Sequence, residues 1–227
     1  MATFRALIEQ WRRETLVFFD GWPGCFASAP TLEQAMAAVP ATVADHLAWL
    51  TAHGLPASVD TVEVEVAEHL RPQPGTRGLR FDADLVPPSD EDLESALTVG
   101  ALVCADLLDL HDRARPDQRT RTTPPGAQEL DKSIDDQLRH IAALDVVYTA
   151  TLLDRQTAAA IALPADPTEA LRASNRHVEA TLRAIPASLR PQRFVRDGEE
   201  WTVAKVVRRR TGHLFEHYPA FRSLAGS

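Results

Sequence analysis

Trp201 to Leu224 reads WTVAKVVRRRTGHLFEHYPAFRSL and is the last long helical segment of the chain. Within it His213 and His217 stand four residues apart. In an α-helix that spacing puts both side chains on one face, roughly 6 Å apart along the axis. Neutral imidazole is the commonest side-chain ligand for a transition metal, and two of them at i and i+4 can grip one ion. The same pair also reads as two solvated histidines on a polar helix end. A third ligand elsewhere in the chain decides between the two.

Composition narrows the class. A chain of 227 residues suits one large domain or two modest ones, and its 44% hydrophobic and 25% charged content is ordinary for a soluble globular protein. A net charge of -8 argues against nucleic-acid binding carried by bulk electrostatics. Cys25 and Cys104 lie far apart without metal-type spacing or a disulfide framework, so a reduced, cytoplasmic setting is expected. No run of about 18 apolar residues predicts a membrane span. The start, MATFRALIEQWRRE, mixes charges into its apolar positions and lacks a signal-peptide core.

The N-terminal part reads as a small α+β unit. Phe4 to Glu9 and TLVFFD (Thr15 to Asp20) are strand-like, and Gly21-Trp22-Pro23-Gly24 is a turn before a returning strand, Cys25 to Ala29. Thr31 caps a helix in which Ala35, Val39, Val43, Leu47 and Leu50 recur, with Gly54 as its stop and Pro40 expected to kink or divide it. Thr61 to Val66, TVEVEV, alternates as a half-buried strand with acidic residues outward. The run WPGCFASAPTLEQA, followed by a helix ending in HGLP, resembles the HicB-like antitoxin domain over roughly the first 70 residues. That resemblance implies a partial RNase-H-like fold that binds a small protein partner and has no catalytic residues of its own. The DNA-binding segment usual after such a domain has no counterpart here. His46, His53 and His69 carry no accompanying carboxylates or thiols and read as ordinary surface or hydrogen-bonded residues.

Arg71 to Gly78, RPQPGTRG, is the best break in the chain. The expected division is residues 1–72, a linker at 73–88, and residues 89–227. Ser89 caps a helix to about Arg115 with Leu93, Leu97, Val103, Cys104 and Leu107 in its stripe, and His111 sits favourably near its end. Asp117 to Pro125 reads as a loop. A second helix runs from Ser133 to about Arg155, a third from about Thr168 to Ile185, and RFVRDGEE, with a turn at Asp197-Gly198, leads into the last. Four amphipathic helices with no strand pattern between them read as an antiparallel bundle. His140 lies within the apolar set of the second helix (Ile134, Leu138, Ile141, Ala142, Leu144, Val147, Leu152), where it can meet His213 and His217.

SIDDQLRHIAALD and WTVAKVVRRRTGHLFEH resemble the second and last helices of the DinB-like (YfiT-like) bundles, over about Asp90 onward. In that family one histidine of helix two and two of helix four bind a divalent metal, often zinc or nickel. The resemblance therefore implies a metal site of His140, His213 and His217, with zinc or nickel as the expected ion and iron as a further option. It also implies a small-molecule substrate such as a low-molecular-weight thiol, and a homodimer. Three nitrogen ligands leave a coordination position open, as catalytic metals require. The resemblance implies a thiol-dependent transferase or a hydrolase, with the substrate unassigned. The alternative is a non-catalytic interaction protein whose N-terminal unit binds a partner. An open site among polar groups favours the enzyme, and a dry bundle with histidines bonded to backbone favours the scaffold.

The neighbours of the histidines carry further expectations. Arg210 either holds a substrate carboxylate or pairs with an acid, while Lys205, Arg208 and Arg209 read as a solvated basic face. HLFEH also fits the inverted zincin pattern, but that class needs an acidic ligand well downstream and none of the residues after His217 is acidic. Glu216 is expected outward or behind the ligands, Tyr148 and Tyr218 as donors lining the site, and His177 behind the ligands at most.

Overall fold

The computed structural model describes residues 2–57, 62–72, 79–120, 133–153 and 161–225. Positions 73–78 of the expected linker lie outside these, as do the loop beyond Thr120 and the expected end of the second bundle helix beyond Leu153. The architecture is mixed α+β. Strands β1 (Ala2–Gln10), β2 (Thr15–Asp20), β3 (Phe26–Ala29) and β4 (Val62–Leu70) form one sheet in the order β3-β2-β1-β4, with α1 (Leu32–Ala52) joining β3 to β4. β1–β2 and β2–β3 pair antiparallel and β1–β4 parallel, so α1 is the crossover that a parallel pair requires.

Strand alternation sorts side chains onto two covered faces. Phe4, Ala6, Ile8, Val17, Phe19 and Ala27 pack with Ala35, Val39 and Val43 of α1. Leu7, Leu16 and Phe18 pack on the other side with Phe81. Two covered faces explain why TLVFFD is apolar almost throughout, with five of its six residues buried. Thr31 Oγ1 accepts the Gln34 amide at 3.2 Å to start α1, and Gly54 (φ 70°) closes it. The helix runs through Pro40 as one element rather than dividing there, held on the sheet by Val39 and Val43. β4 keeps its acidic residues outward but is not half-buried. It is an edge strand, and Val62 (41%) and Val66 (54%) stand exposed.

Helix α2 (Asp90–Arg113) is followed by a short α3 (Pro116–Thr120), where a plain loop was expected, then α4 (Ile134–Ala150), α5 (Pro167–Ala184) and α6 (Val203–Ala225). α2 packs on α6, α6 on α4, α4 on α5 and α5 on α2, closing a four-helix ring. Ser89 and Asp92 cap α2 reciprocally, Ser133 caps α4, and Asp166 with Pro167 starts α5. Val147, expected in the apolar stripe of α4, is exposed. Ahead of α6, β5 (Phe194–Arg196) and β6 (Glu199–Trp201) form a hairpin around the expected turn. Asp197 (φ 51°) and Gly198 (φ 82°) make its two-residue turn of the type favoured in hairpins. Among the described residues no helix is long and apolar enough to cross a membrane.

α6 lies between the ring and the sheet. Its Gly212 sits against Phe18 and Phe26, and its Phe215 ring against Gly24. Gly24 has φ 83°, and a side chain there would overlap that ring, so the turn needs glycine on two counts. Trp49 and Leu50 of α1 share one core with Val103, Leu107, Leu138, Leu214 and Phe221. Trp49 Nε1 donates to Asp106 Oδ2 at 2.7 Å. Deep in the ring, Arg210 (2% exposed) donates Nε to Asp145 Oδ1 at 3.2 Å and Nη2 to Asn175 Oδ1 at 2.6 Å, while Ser174 Oγ donates to Asp145 Oδ2.

His46 is buried between Trp49 and Phe215, and neither ring nitrogen has a hydrogen-bond partner, so it is not the surface or bonded residue expected. Burial pushes its pKa from 6.5 down to about 4. Two outcomes are expected. A Cβ at Gly100 would overlap Arg210 Nη1, so Gly100→Ala should displace the guanidinium from Asp145 and destabilise the protein by at least about 3 kcal/mol in urea titrations. Wild-type stability in that variant would contradict the packing. Below pH 6.5 the unfolded chain protonates His46 and the folded one does not, so stability falls as pH drops, by about 3 kcal/mol at pH 4 from this residue. His46→Leu should remove that part of the acid sensitivity, and an unchanged pH profile would contradict the assignment.

Candidate metal centre

Three histidines from two helices converge. His140 comes from α4, one turn after Gln137, and His213 and His217 from successive turns of α6. His213 Nε2 lies 3.1 Å from His140 Nε2 and 3.1 Å from His217 Nε2, and one ligand atom from each ring lies within 4.8 Å of the others. Ligand nitrogens about 2.05 Å from one ion would be about 3.3 Å apart in a tetrahedron and about 2.9 Å apart in an octahedron. The two spacings made by His213 fall between these values.

Hydrogen bonding among the rings does not account for this arrangement. Each ring nitrogen offers one in-plane direction, either a proton or a lone pair. His217 donates Nδ1–H to Gln137 Oε1 at 3.0 Å, which leaves its Nε2 as a lone pair aimed at His213. One His213 nitrogen cannot make two full hydrogen bonds at once, whereas an ion among the three nitrogens satisfies all of them. Gln137, His217 and His213 are buried, and His140, half-buried, is the most exposed of the three ligands. Burial first, and then the neighbouring His217 and His140 rings and the Arg209 charge, hold His213 well below the ordinary imidazole range. It is therefore neutral at pH 7, the form that ligates metal. The three histidines can hold a metal ion.

Tyr148 of α4 stands edge-on to His213, ring centroids 6.3 Å apart, and its other neighbour is Trp201 at 5.9 Å. Burial pushes its phenol up to about 12, so it remains a donor at neutral pH. Glu216 is half-buried and within electrostatic range of that phenol.

Several expected neighbours are elsewhere. Arg210 holds no substrate group, because Asp145 and Asn175 occupy it inside the ring. Lys205, Arg208 and Arg209 are not a solvated face: their side chains are 0%, 10% and 14% exposed, because the β5–β6 hairpin meets Lys205 and β1, with Asp84, meets the two arginines. Glu9 of β1 meets Arg208 and Arg209, and Asp84 meets Arg208. Tyr218 lies on the opposite side of α6 against Phe215 and lines a cavity of about 1010 Å³ with Trp49, His53 and Asp106, away from the three histidines. His177 bonds Thr149 Oγ1 at 3.0 Å, and His111 bonds Asp135 at 2.9 Å. His53 bonds Asp106 and the Trp49 carbonyl, and His69 bonds Gln10. Both cysteines are buried, with their thiols pushed up by burial, Cys104 to about 12, so neither presents a thiolate. Gln137 was absent from the sequence reading. Its place one turn before His140 is the only local signal that it faces the same way.

No protein-family model, curated protein or solved structure matches this chain. The centre therefore stands on its own geometry. Gln137 orients His217, so Gln137→Ala should weaken zinc affinity by about 10- to 100-fold in competition with a chromophoric chelator. Unchanged affinity would show that the His217–Gln137 bond does not hold a ligand in place.

Proposed function

We propose that this chain is a divalent-metal-dependent enzyme whose ion is held by His140, His213 and His217, with zinc or nickel as the expected metal. The observation that carries the reading is the meeting of three imidazole nitrogens, His213 Nε2 being 3.1 Å from each of the other two, with His217 fixed from behind by a side-chain amide. A structural site closes the fourth position with a protein ligand, and among the described residues no cysteine or carboxylate joins this group. His213 faces the other two rings, and His217 faces His213 and Gln137.

A divalent ion there supplies Lewis-acid polarisation of an oxygen or sulfur group on the substrate. The protein's own residues do the rest. Gln137 fixes the tautomer and angle of His217, and burial of His213 keeps water from competing on that side. Tyr148 stands edge-on to His213 as a protonated phenol. The substrate is a small molecule entering at the half-buried His140, and a thiol transfer or a hydrolysis fits a donor-lined site of this kind. The same reading takes residues 89–227 as a DinB-like bundle acting on a low-molecular-weight thiol, as a dimer, and residues 1–72 as a HicB-like unit. The three-histidine cluster supports the metal site alone, and the sequence motifs support the rest.

Untagged protein analysed by elemental mass spectrometry should carry near one equivalent of metal. His140→Ala, His213→Ala and His217→Ala should each lose it, together with any thiol-transfer or hydrolytic activity. Wild-type protein that stays metal-free after incubation with zinc, nickel and iron would refute the enzymatic reading.

A further inference from the structure

Three consecutive arginines on α6 meet three different environments. Arg208 donates Nε and Nη2 to Asp84, Nη1 to Glu9 and Nη2 to the Leu79 carbonyl. Arg210 is bound by Asp145 and Asn175. Arg209 makes one hydrogen bond among the described residues, Nη2 to Glu9 Oε2 at 2.7 Å, although a guanidinium carries five N–H donors. It lies one turn before His213 on the same helix face, and its charge is among those acting on that ring. Tyr148 stands against the same ring, and its hydroxyl has no hydrogen-bond partner among the described residues. Both side chains are half-buried, and the Arg209 charge is among those acting on the Tyr148 phenol, so the two stand near one another beside His213.

Donors of this kind select the ligand's chemistry. Guanidinium and protonated phenol both offer N–H or O–H, so the atoms that meet them are acceptors. Glu9, the carboxylate that Arg209 already holds, is also held by Arg208 and Trp11 and is not released for another role. We propose that Arg209 and Tyr148 form an anion subsite beside the three-histidine centre and bind one carboxylate of a small organic acid. This rests on the metal reading above and adds a substrate class to it. Glu216 lies in electrostatic range of Tyr148 and Glu14 in range of Arg209. Two neighbouring carboxylates disfavour a second negative charge on the ligand. A singly charged carboxylate therefore fits better than a phosphate dianion.

The test uses cobalt(II)-loaded protein, titrated separately with acetate and with inorganic phosphate while the visible cobalt bands are followed. Acetate should bind at least about 10-fold more tightly than phosphate, and Tyr148→Phe and Arg209→Lys should each weaken acetate by about 10-fold with cobalt stoichiometry unchanged. Equal acetate affinity in the wild type and both variants, or phosphate binding as tight as acetate, overturns the subsite. Protein that takes up no cobalt contradicts the metal reading instead. The subsite is then decided alone by carbon-13 line broadening of acetate, which should be larger for the wild type than for Tyr148→Phe. Equal broadening overturns it.

Discussion

Helix α6 is enclosed by the helix ring on one side and the sheet on the other, so the charges it carries must be met inside the protein. Lys205 is fully buried and Arg210 nearly so, and an unpaired buried cation costs several kcal/mol. The partners come from distant parts of the chain: Glu9 and Asp84 for Arg208, Glu9 for Arg209, Asp145 for Arg210. Lys205 Nζ donates to the Glu200 carbonyl at 2.9 Å and lies over the Trp201 ring, and burial lowers its pKa to about 8. These pairings fix the rotation of α6. With Arg208 turned to the sheet and Arg210 to the ring, His213 and His217 are brought to α4, where His140 and Gln137 meet them.

One consequence is that the N-terminal sheet and the histidine centre are physically coupled. Glu9, near the end of β1, holds Arg209, which lies one turn from His213. The β2–β3 turn supports the same helix from another side, since Gly24 is packed under Phe215 and Phe18 under Gly212. α1 adds Trp49 to the core that contains Leu214. A change in the sheet therefore acts on the helix that carries two of the three ligands.

Much of this was legible from sequence where the cause is local. The strands and turn from Phe4 to Ala29, the caps at Thr31 and Ser89, and the Pro167 start depend on neighbours within a few positions. The His213/His217 pair is a property of helical spacing, and the third histidine stood within the apolar set of a separate helix, where the family resemblance then matched it. What escaped was non-local. RRR at 208–210 reads as a surface run because nothing near it in sequence predicts that Glu9 and Asp84 will cover it. His46 reads as polar, yet it is packed among aromatic rings. The β5–β6 hairpin has strands of three residues, too short to show alternation. Gln137 carries no ligand signature, because its part is to hold a ligand rather than to be one.

The central claim is that His140, His213 and His217 close on a single ion. X-ray absorption at the zinc edge of the loaded protein reads that shell directly. Three imidazoles at about 2.0 Å, identified by their outer-ring scattering, together with one light oxygen, sulfur or nitrogen donor, are the result predicted. A shell of water oxygens without imidazole scattering, or one dominated by several sulfurs, would contradict it.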